Sequence, residues 1–153
     1  MNFFDLLFII TLLGFIGFSR GNKIITNLLL FFSWILGYLL AESFALRFQP
    51  QVDQLIDSSS LSYIVTYFTF FIPLPLLQFL FGPNSKPKKP YPFKSLIGSV
   101  GACLAMGRWM ILLLLLQSLS LHGMPAFHDD IRASFFFPMI EVCVNALGGL
   151  ILA

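Results

Sequence analysis

The sequence predicts an all-α membrane protein with four transmembrane helices and a C-terminal amphipathic helix, in a single domain over residues 1–153. Hydrophobic residues make up 58% of the chain and charged residues only 10%, whereas about a quarter of the residues in soluble domains are charged. The apolar residues also come in long runs, and a run of about 20 crosses the hydrocarbon core of a bilayer. These two observations exclude an ordinary soluble domain.

Four apolar segments are long enough to be spans, and polar connections separate them. The predicted spans are about residues 3–19, 24–46, 61–81 and 96–121. No basic region precedes the first segment and no small-residue cleavage site follows it, so we expect an uncleaved span rather than a signal peptide. In the third span Pro73 and Pro75 remove two backbone donors, which predicts a kink and leaves open a break that lines a substrate path.

The basic residues of the connections predict one orientation. Arg20 and Lys23 lie in the first connection, and the third connection holds four lysines between Lys86 and Lys94. Basic loops stay in the cytoplasm. We therefore expect the Lys86–Lys94 loop inside and the N-terminus outside.

The last apolar segment, about residues 135–152, carries Glu141 and Asn145 among apolar residues. With Ser134 and Gly148 they form one narrow polar stripe at helical periodicity. An amphipathic helix lying at the outer membrane surface and a fifth span both fit this pattern, and we expect the surface helix.

Arg108 is the only charged residue between Ser95 and Leu121. A guanidinium near the centre of a span costs about 2.5–3.5 kcal/mol on insertion scales, and it marks a functional or structural site by default. On a helical wheel Arg108 lies on the same side as Gly98, Gly101 and Ala105. We therefore expect it to face protein, or water held by protein, rather than lipid.

A buried arginine needs an acidic partner. At about 1.5 Å per residue from the cytoplasmic edge, Arg108 lies roughly 20 Å deep and Glu42 roughly 27 Å, which makes Glu42 the first candidate. Glu141 is the second candidate and Asp5 the third. This charge cluster either locks the helices together or serves a polar pathway or ligand, unless Arg108 snorkels from a shorter span. We expect the structural lock.

Small residues at helical spacing predict close helix–helix packing, because they let two backbones approach each other. The two small-residue faces consist of Gly14, Gly17 and Gly21 in the first span and of Gly98, Gly101 and Ala105 in the fourth.

Residue patterns typical of enzymes are missing from the sequence. It contains no nucleophile–base set, no phosphate-binding loop and no paired catalytic carboxylates, so we expect no enzymatic activity and no cofactor. His122, His128, Asp129 and Asp130 favour an exposed outer loop over a metal site. As partners we expect the lipid bilayer and either further copies of the chain or other envelope and export proteins, and no nucleic acid.

Several of these residues resemble motifs of the colicin V production protein family, small bacterial inner-membrane proteins with four predicted spans. The motifs are an acidic residue entering span one, an Arg-Gly pair ending it, an intramembrane arginine in span four and a Ser-x-x-x-Pro element beyond it. Here they are Asp5, Arg20, Gly21, Arg108, Ser134 and Pro138.

The resemblance implies a multi-pass protein of the bacterial inner membrane. It also implies a role in the production or export of a peptide toxin and in envelope homeostasis, without enzymatic activity. The alternative is a small oligomeric transporter or channel component that uses the buried Arg108 cluster.

Overall fold

The computed structural model describes residues 2–20, 24–81 and 94–151, and every regular element in these ranges is a helix. The elements are α1 (Phe3–Arg20), α2 (Ile24–Asp53), α3 (Ser59–Phe71), α4 (Pro73–Phe81), α5 (Lys94–His122), a 3₁₀ turn (Pro125–Phe127), α6 (His128–Arg132) and α7 (Phe137–Ile151). The predicted all-α class is therefore confirmed.

Three stretches of helix in the described ranges are long and apolar enough to cross a membrane: Ile24–Asp53, Ser59–Gln78 and Gly98–His122. The second of these is α3 continued by α4. In contrast, α1 and α7 are shorter apolar helices. The 15 residues of α7 extend only about 22 Å, less than the roughly 30 Å hydrocarbon core. The count of four spans plus one amphipathic helix therefore stays a prediction.

A helical hairpin of α2 and α3 forms one side of the molecule, and polar side chains define its turn. The Ser58 hydroxyl caps α3 by accepting a hydrogen bond from the Leu61 amide at 3.5 Å. The Gln49 amide nitrogen donates to the Ser59 hydroxyl at 2.8 Å. Because capping satisfies backbone amides that have no partner inside the helix, it fixes the residue at which α3 begins.

The predicted kink in the third span is an interruption of the helix at Ile72, between α3 and α4. Pro75 has no amide hydrogen to donate to the carbonyl of Phe71, four residues earlier. That carbonyl lies against Gly37 of α2, where a Cβ atom would come within 2.8 Å of the Phe71 oxygen. Glycine at position 37 therefore lets α2 approach the interrupted turn.

Aromatic side chains fill much of the space between the helices. The Trp34 ring of α2 lies between Phe15 of α1, at 5.3 Å between ring centroids, and Phe71 of α3, at 5.4 Å. Both contacts are edge-to-face, the arrangement that the quadrupoles of aromatic rings favour. The largest fully buried side chains include Trp109, Tyr63, Tyr67, Phe8 and Leu113.

The predicted small-residue faces pack only in part. A Cβ atom on Gly14, Gly17 or Gly98 would meet nothing within 4 Å, so the expected close packing at these three positions is wrong for the described chain. Gly101 and Ala105 are buried as expected. A helical wheel shows which residues share a face, but it does not show which part of that face meets a neighbouring helix.

Other glycines allow the closest approaches. Besides Gly37, Gly107 lies under the Phe31 ring of α2, and Gly123 lies against the Ile64 side chain of α3. Gly21, the remaining member of the predicted faces, lies outside the described residues.

Candidate functional site

Arg108 is held at the midpoint of α5, about 21 Å from either end of that helix at 1.5 Å per residue. Its side chain is only 2% exposed. Among the described residues, neither Nε nor Nη2 of Arg108 has a hydrogen-bond partner. The guanidinium carbon lies 5.7 Å from the centroid of the Phe15 ring, within the range of a cation–π contact. The ring therefore offsets part, but only part, of the lost hydration.

Arg108 is one of the residues that line a cavity of about 320 Å³, and we call this cavity the Arg108 groove. Every lining residue except the arginine is aliphatic or aromatic. The lining consists of Phe15, Leu30, Trp34, Phe71, Ile72, Pro75, Leu76 and Arg108. Ile72 and Leu76 are about half exposed, so the groove opens outward beside the interruption between α3 and α4.

The expected ion pair between Arg108 and Glu42 is not present in the described part of the chain. The α2 residues that line the same cavity as Arg108 are Leu30 and Trp34. Glu42 lies eight residues beyond Trp34, which is about 12 Å further along the axis. Counting depth from the ends of the apolar runs misjudged the offset between α2 and α5, and the two charges lie at different levels.

Glu42 belongs instead to a cluster of tyrosines. The Tyr67 hydroxyl donates to Glu42 Oε1 at 3.1 Å, and Tyr38, one turn earlier in α2, also interacts with this carboxylate. The Tyr63 and Tyr67 rings lie 5.7 Å apart, and the Tyr63 hydroxyl bonds to Ser118 of α5 at 3.0 Å. This cluster was not expected from the sequence. The four-residue spacings of 38 with 42 and of 63 with 67 are the signal that would have indicated it.

Asp5 is the second buried charge, with 4% of its surface exposed. Its Oδ1 accepts hydrogen bonds from the Ser134 hydroxyl at 2.6 Å and from the Phe135 amide at 2.9 Å. Its Oδ2 accepts one from the Asn2 amide at 2.8 Å. We call this arrangement the Asp5–Ser134 junction. Three donors stabilise the carboxylate, so Asp5 is not available as the third candidate partner of Arg108.

Further contacts hold the first half of α1 beside the junction. The Trp109 indole nitrogen donates to the Phe8 carbonyl at 3.0 Å and to the Thr11 hydroxyl at 3.2 Å. The Phe136 ring lies 5.4 Å from the Trp109 ring and 6.0 Å from the Phe8 ring. Adjacent residues of α5 therefore have different surroundings, because the Trp109 indole nitrogen is hydrogen-bonded whereas Nε and Nη2 of Arg108 have no partner among the described residues.

The geometry can be compared with known proteins. A family model described as colicin V production protein matches residues 4–145. The chain belongs to the colicin V production protein family. No curated protein and no solved structure matches the chain. The matched range includes Asp5, Ser134 and Phe135 of the junction and every residue that lines the Arg108 groove.

Two of the motif residues that resemble the colicin V production family meet in the structure. Asp5 and Ser134 are 129 residues apart in sequence and share a hydrogen bond. Arg108 is not part of this contact. Pro138 lies in the first turn of α7, where a missing amide hydrogen costs little. Arg20 is the last residue of α1.

The remaining predicted residues do not join either buried charge. Glu141 is exposed on α7, so it is not the second candidate partner of Arg108. The His122 ring lies 5.0 Å from the Tyr63 ring, and His128 bonds to the Ser120 hydroxyl at 3.2 Å. Of the Lys86–Lys94 loop, only Lys94, the first residue of α5, lies within the described ranges.

Proposed function

We propose that the protein is an accessory protein of the bacterial inner membrane that supports the production or export of colicin V and envelope homeostasis, without catalysing a reaction. The family match supports the role in colicin V production. The observation that carries the accessory role is the Asp5–Ser134 junction. Its motif residues hold the start of α1 against the segment that precedes α7, which is how a structural side chain acts.

The proposed topology has four spans, with α1 as the first, an outside N-terminus and a cytoplasmic Lys86–Lys94 loop. The Asp5–Ser134 junction supports this arrangement, because it requires the start of α1 and the segment after α5 to lie on one side of the membrane. We place α7 at the outer surface, where buried Ile140 faces the core and Glu141 is exposed.

Reporter fusions test the topology. Fusions after Gly123 and after Ala153 are expected to report the same, outer side of the membrane. Opposite signals from the two fusions would show that α7 spans the bilayer.

Complementation tests the function. A colicin V producer that lacks its own family member is expected to regain toxin release, measured as inhibition zones on a sensitive strain, when it expresses this chain. Asp5→Ala should fail to restore release, because it removes the acceptor at the junction. Asp57→Ala, which changes an exposed carboxylate outside the junction, is the matched control. Wild-type protein that accumulates in the membrane yet restores no release would contradict the proposal.

A second candidate, a subunit of a small oligomeric transporter or channel, is favoured by one observation. The Arg108 groove presents a buried cation in the middle of a helix, where intramembrane charges usually serve transport. In that case Arg108→Leu should accumulate normally, keep the wild-type oligomeric state in crosslinking and lose toxin release. Full activity of this variant would exclude the transporter candidate.

A further inference from the structure

Among the residues that the structure describes, none supplies a counter-charge to Arg108. The three acidic residues predicted as partners, Glu42, Glu141 and Asp5, lie elsewhere. Within the described chain the guanidinium has the Phe15 ring beside it and two nitrogens without a hydrogen-bond partner. An ionised group taken out of water without compensation is costly. The groove is therefore complementary to an anion that supplies hydrogen-bond acceptors.

The shape and lining of the groove restrict what carries that anion. Its volume of about 320 Å³ lies at the small end of the range for ligand pockets, roughly 300–1,000 Å³. Such pockets combine apolar walls with a few polar groups that orient the ligand. Here the walls are apolar and Arg108 is the one charged residue among them, which fits a ligand with one anionic head and an apolar body.

The opening of the groove indicates where the ligand enters. Ile72 and Leu76 form its half-exposed rim on α3 and α4, and these helices belong to a candidate span. The rim therefore faces hydrocarbon, and an amphiphile dissolved in the bilayer reaches the groove sideways without crossing water.

The depth of Arg108 favours a carboxylate head over a phosphate. A phospholipid keeps its phosphate at the interface, about 15 Å from the centre of a 30 Å hydrocarbon core. A carboxylic acid enters hydrocarbon in its neutral form, and when it binds beside the guanidinium as the carboxylate its proton is released to water at the membrane interface, whereas a phosphodiester stays charged throughout. We propose that the Arg108 groove binds a single-chain amphiphilic carboxylate, its head at Arg108 and its chain along Trp34, Phe71 and Ile72. This inference does not depend on the role in colicin V production.

Trp34 lines the groove and supplies the readout. The full-length protein in phosphatidylcholine nanodiscs is titrated with ω-bromoundecanoic acid, whose bromine quenches nearby tryptophan fluorescence. ω-Bromoundecanol is the matched probe without the charge. The acid is expected to half-quench at a concentration at least about tenfold lower than the alcohol. In Trp34→Phe the quenching should disappear, because the remaining Trp109 is 2% exposed and packs on the α1 side.

Variants test whether the groove is the binding site. Arg108→Met should make the acid as weak a quencher as the alcohol, and Arg132→Met, an exposed arginine on α6, should match wild type. Leu76→Phe narrows the rim without touching the guanidinium and should raise the half-quenching concentration several-fold. If Arg108→Met does not fold, the Leu76→Phe result decides.

Three outcomes would overturn the proposal. The first is equal quenching by acid and alcohol in the wild type. The second is unchanged acid quenching in Arg108→Met or, where that variant does not fold, in Leu76→Phe. The third is quenching of Trp34 by a brominated phospholipid or an acidic transmembrane peptide while the bromo-acid has no effect.

Discussion

Asp5 and Arg108 are both buried charges, yet their surroundings differ in kind. Asp5 accepts three hydrogen bonds at the Asp5–Ser134 junction, whereas two nitrogens of Arg108 have no partner among the described residues. The exposed fractions of the two side chains are similar, at 4% and 2%. Exposure alone therefore does not show whether a buried charge is compensated. The number of its satisfied hydrogen bonds does, because a buried charge without partners is left uncompensated.

Removing the junction carboxylate should have the largest effect. Asp5→Ala is expected to lower the unfolding temperature in detergent more than any other change below, since it leaves the Ser134 hydroxyl and two amides without their acceptor. Asp5→Asn keeps one acceptor oxygen and should fall between wild type and Asp5→Ala. Circular dichroism at 222 nm measures the transition. Equal unfolding temperatures for Asp5→Ala and wild type would show that the hydrogen bonds of Asp5 do not stabilise the fold.

Filling the space at Gly37 should cause the next largest loss of stability. The added atom would press on Phe71, which lines the Arg108 groove. Gly37→Ala places a Cβ against the Phe71 carbonyl, and overpacking of this kind costs about 1–3 kcal/mol. Gly14→Ala is the matched control, because a Cβ there meets no described atom within 4 Å. Unfolding in increasing denaturant compares the two. Similar midpoints would contradict the close approach of α2 to the interrupted turn.

Trp109→Phe tests the residue that follows Arg108 in α5 and is hydrogen-bonded to α1. The change keeps an aromatic ring and removes the donor to Phe8 and Thr11, so a loss of about 1 kcal/mol is expected. Thr11→Val, which removes only the second acceptor, should cost less. The same denaturant titration gives both values, and a loss from Thr11→Val as large as from Trp109→Phe would not fit these contacts.

Arg108→Met should have the smallest effect on stability. The substitution removes a buried charge that forms few bonds and fills part of its space, so the unfolding temperature should stay unchanged or rise. The same scan as for Asp5→Ala shows the difference in sign between the two charges. A fall as large as that of Asp5→Ala would mean that Arg108 is a structural charge too.

Local sequence patterns predicted the fold class and the interruption of the helix in the third span. Long apolar runs predict helices because the backbone polar groups of a segment in lipid must be hydrogen-bonded within the protein. Pro73 and Pro75 predict where the third span is interrupted. Burial of Arg108 followed from its side of the helical wheel. Each of these properties depends on residues that are close in sequence.

Properties that depend on how helices are offset were not predictable in the same way. The shift of α2 relative to α5 along the helix axes places Arg108 nearer to the level of Trp34 than to that of Glu42. The sequence of one helix does not determine its shift relative to another helix. The same holds for Asp5, whose partner is 129 residues away. The resemblance had marked Asp5 and Ser134 separately, and only the three-dimensional structure joined them.

The interruption at Ile72 has a mechanical consequence. Pro73 and Pro75 already lack the amide hydrogens that would brace this turn, so tilting α4 against α3 breaks neither of those bonds. A bilayer thinner or thicker than the protein's apolar belt is accommodated where a helix bends most cheaply, and here that is the wall of the Arg108 groove. The distance between spin labels on α2 and α4, compared in short-chain and long-chain lipid, should therefore change more than that between α2 and α3. Such a difference would mean that the width of the groove depends on membrane thickness.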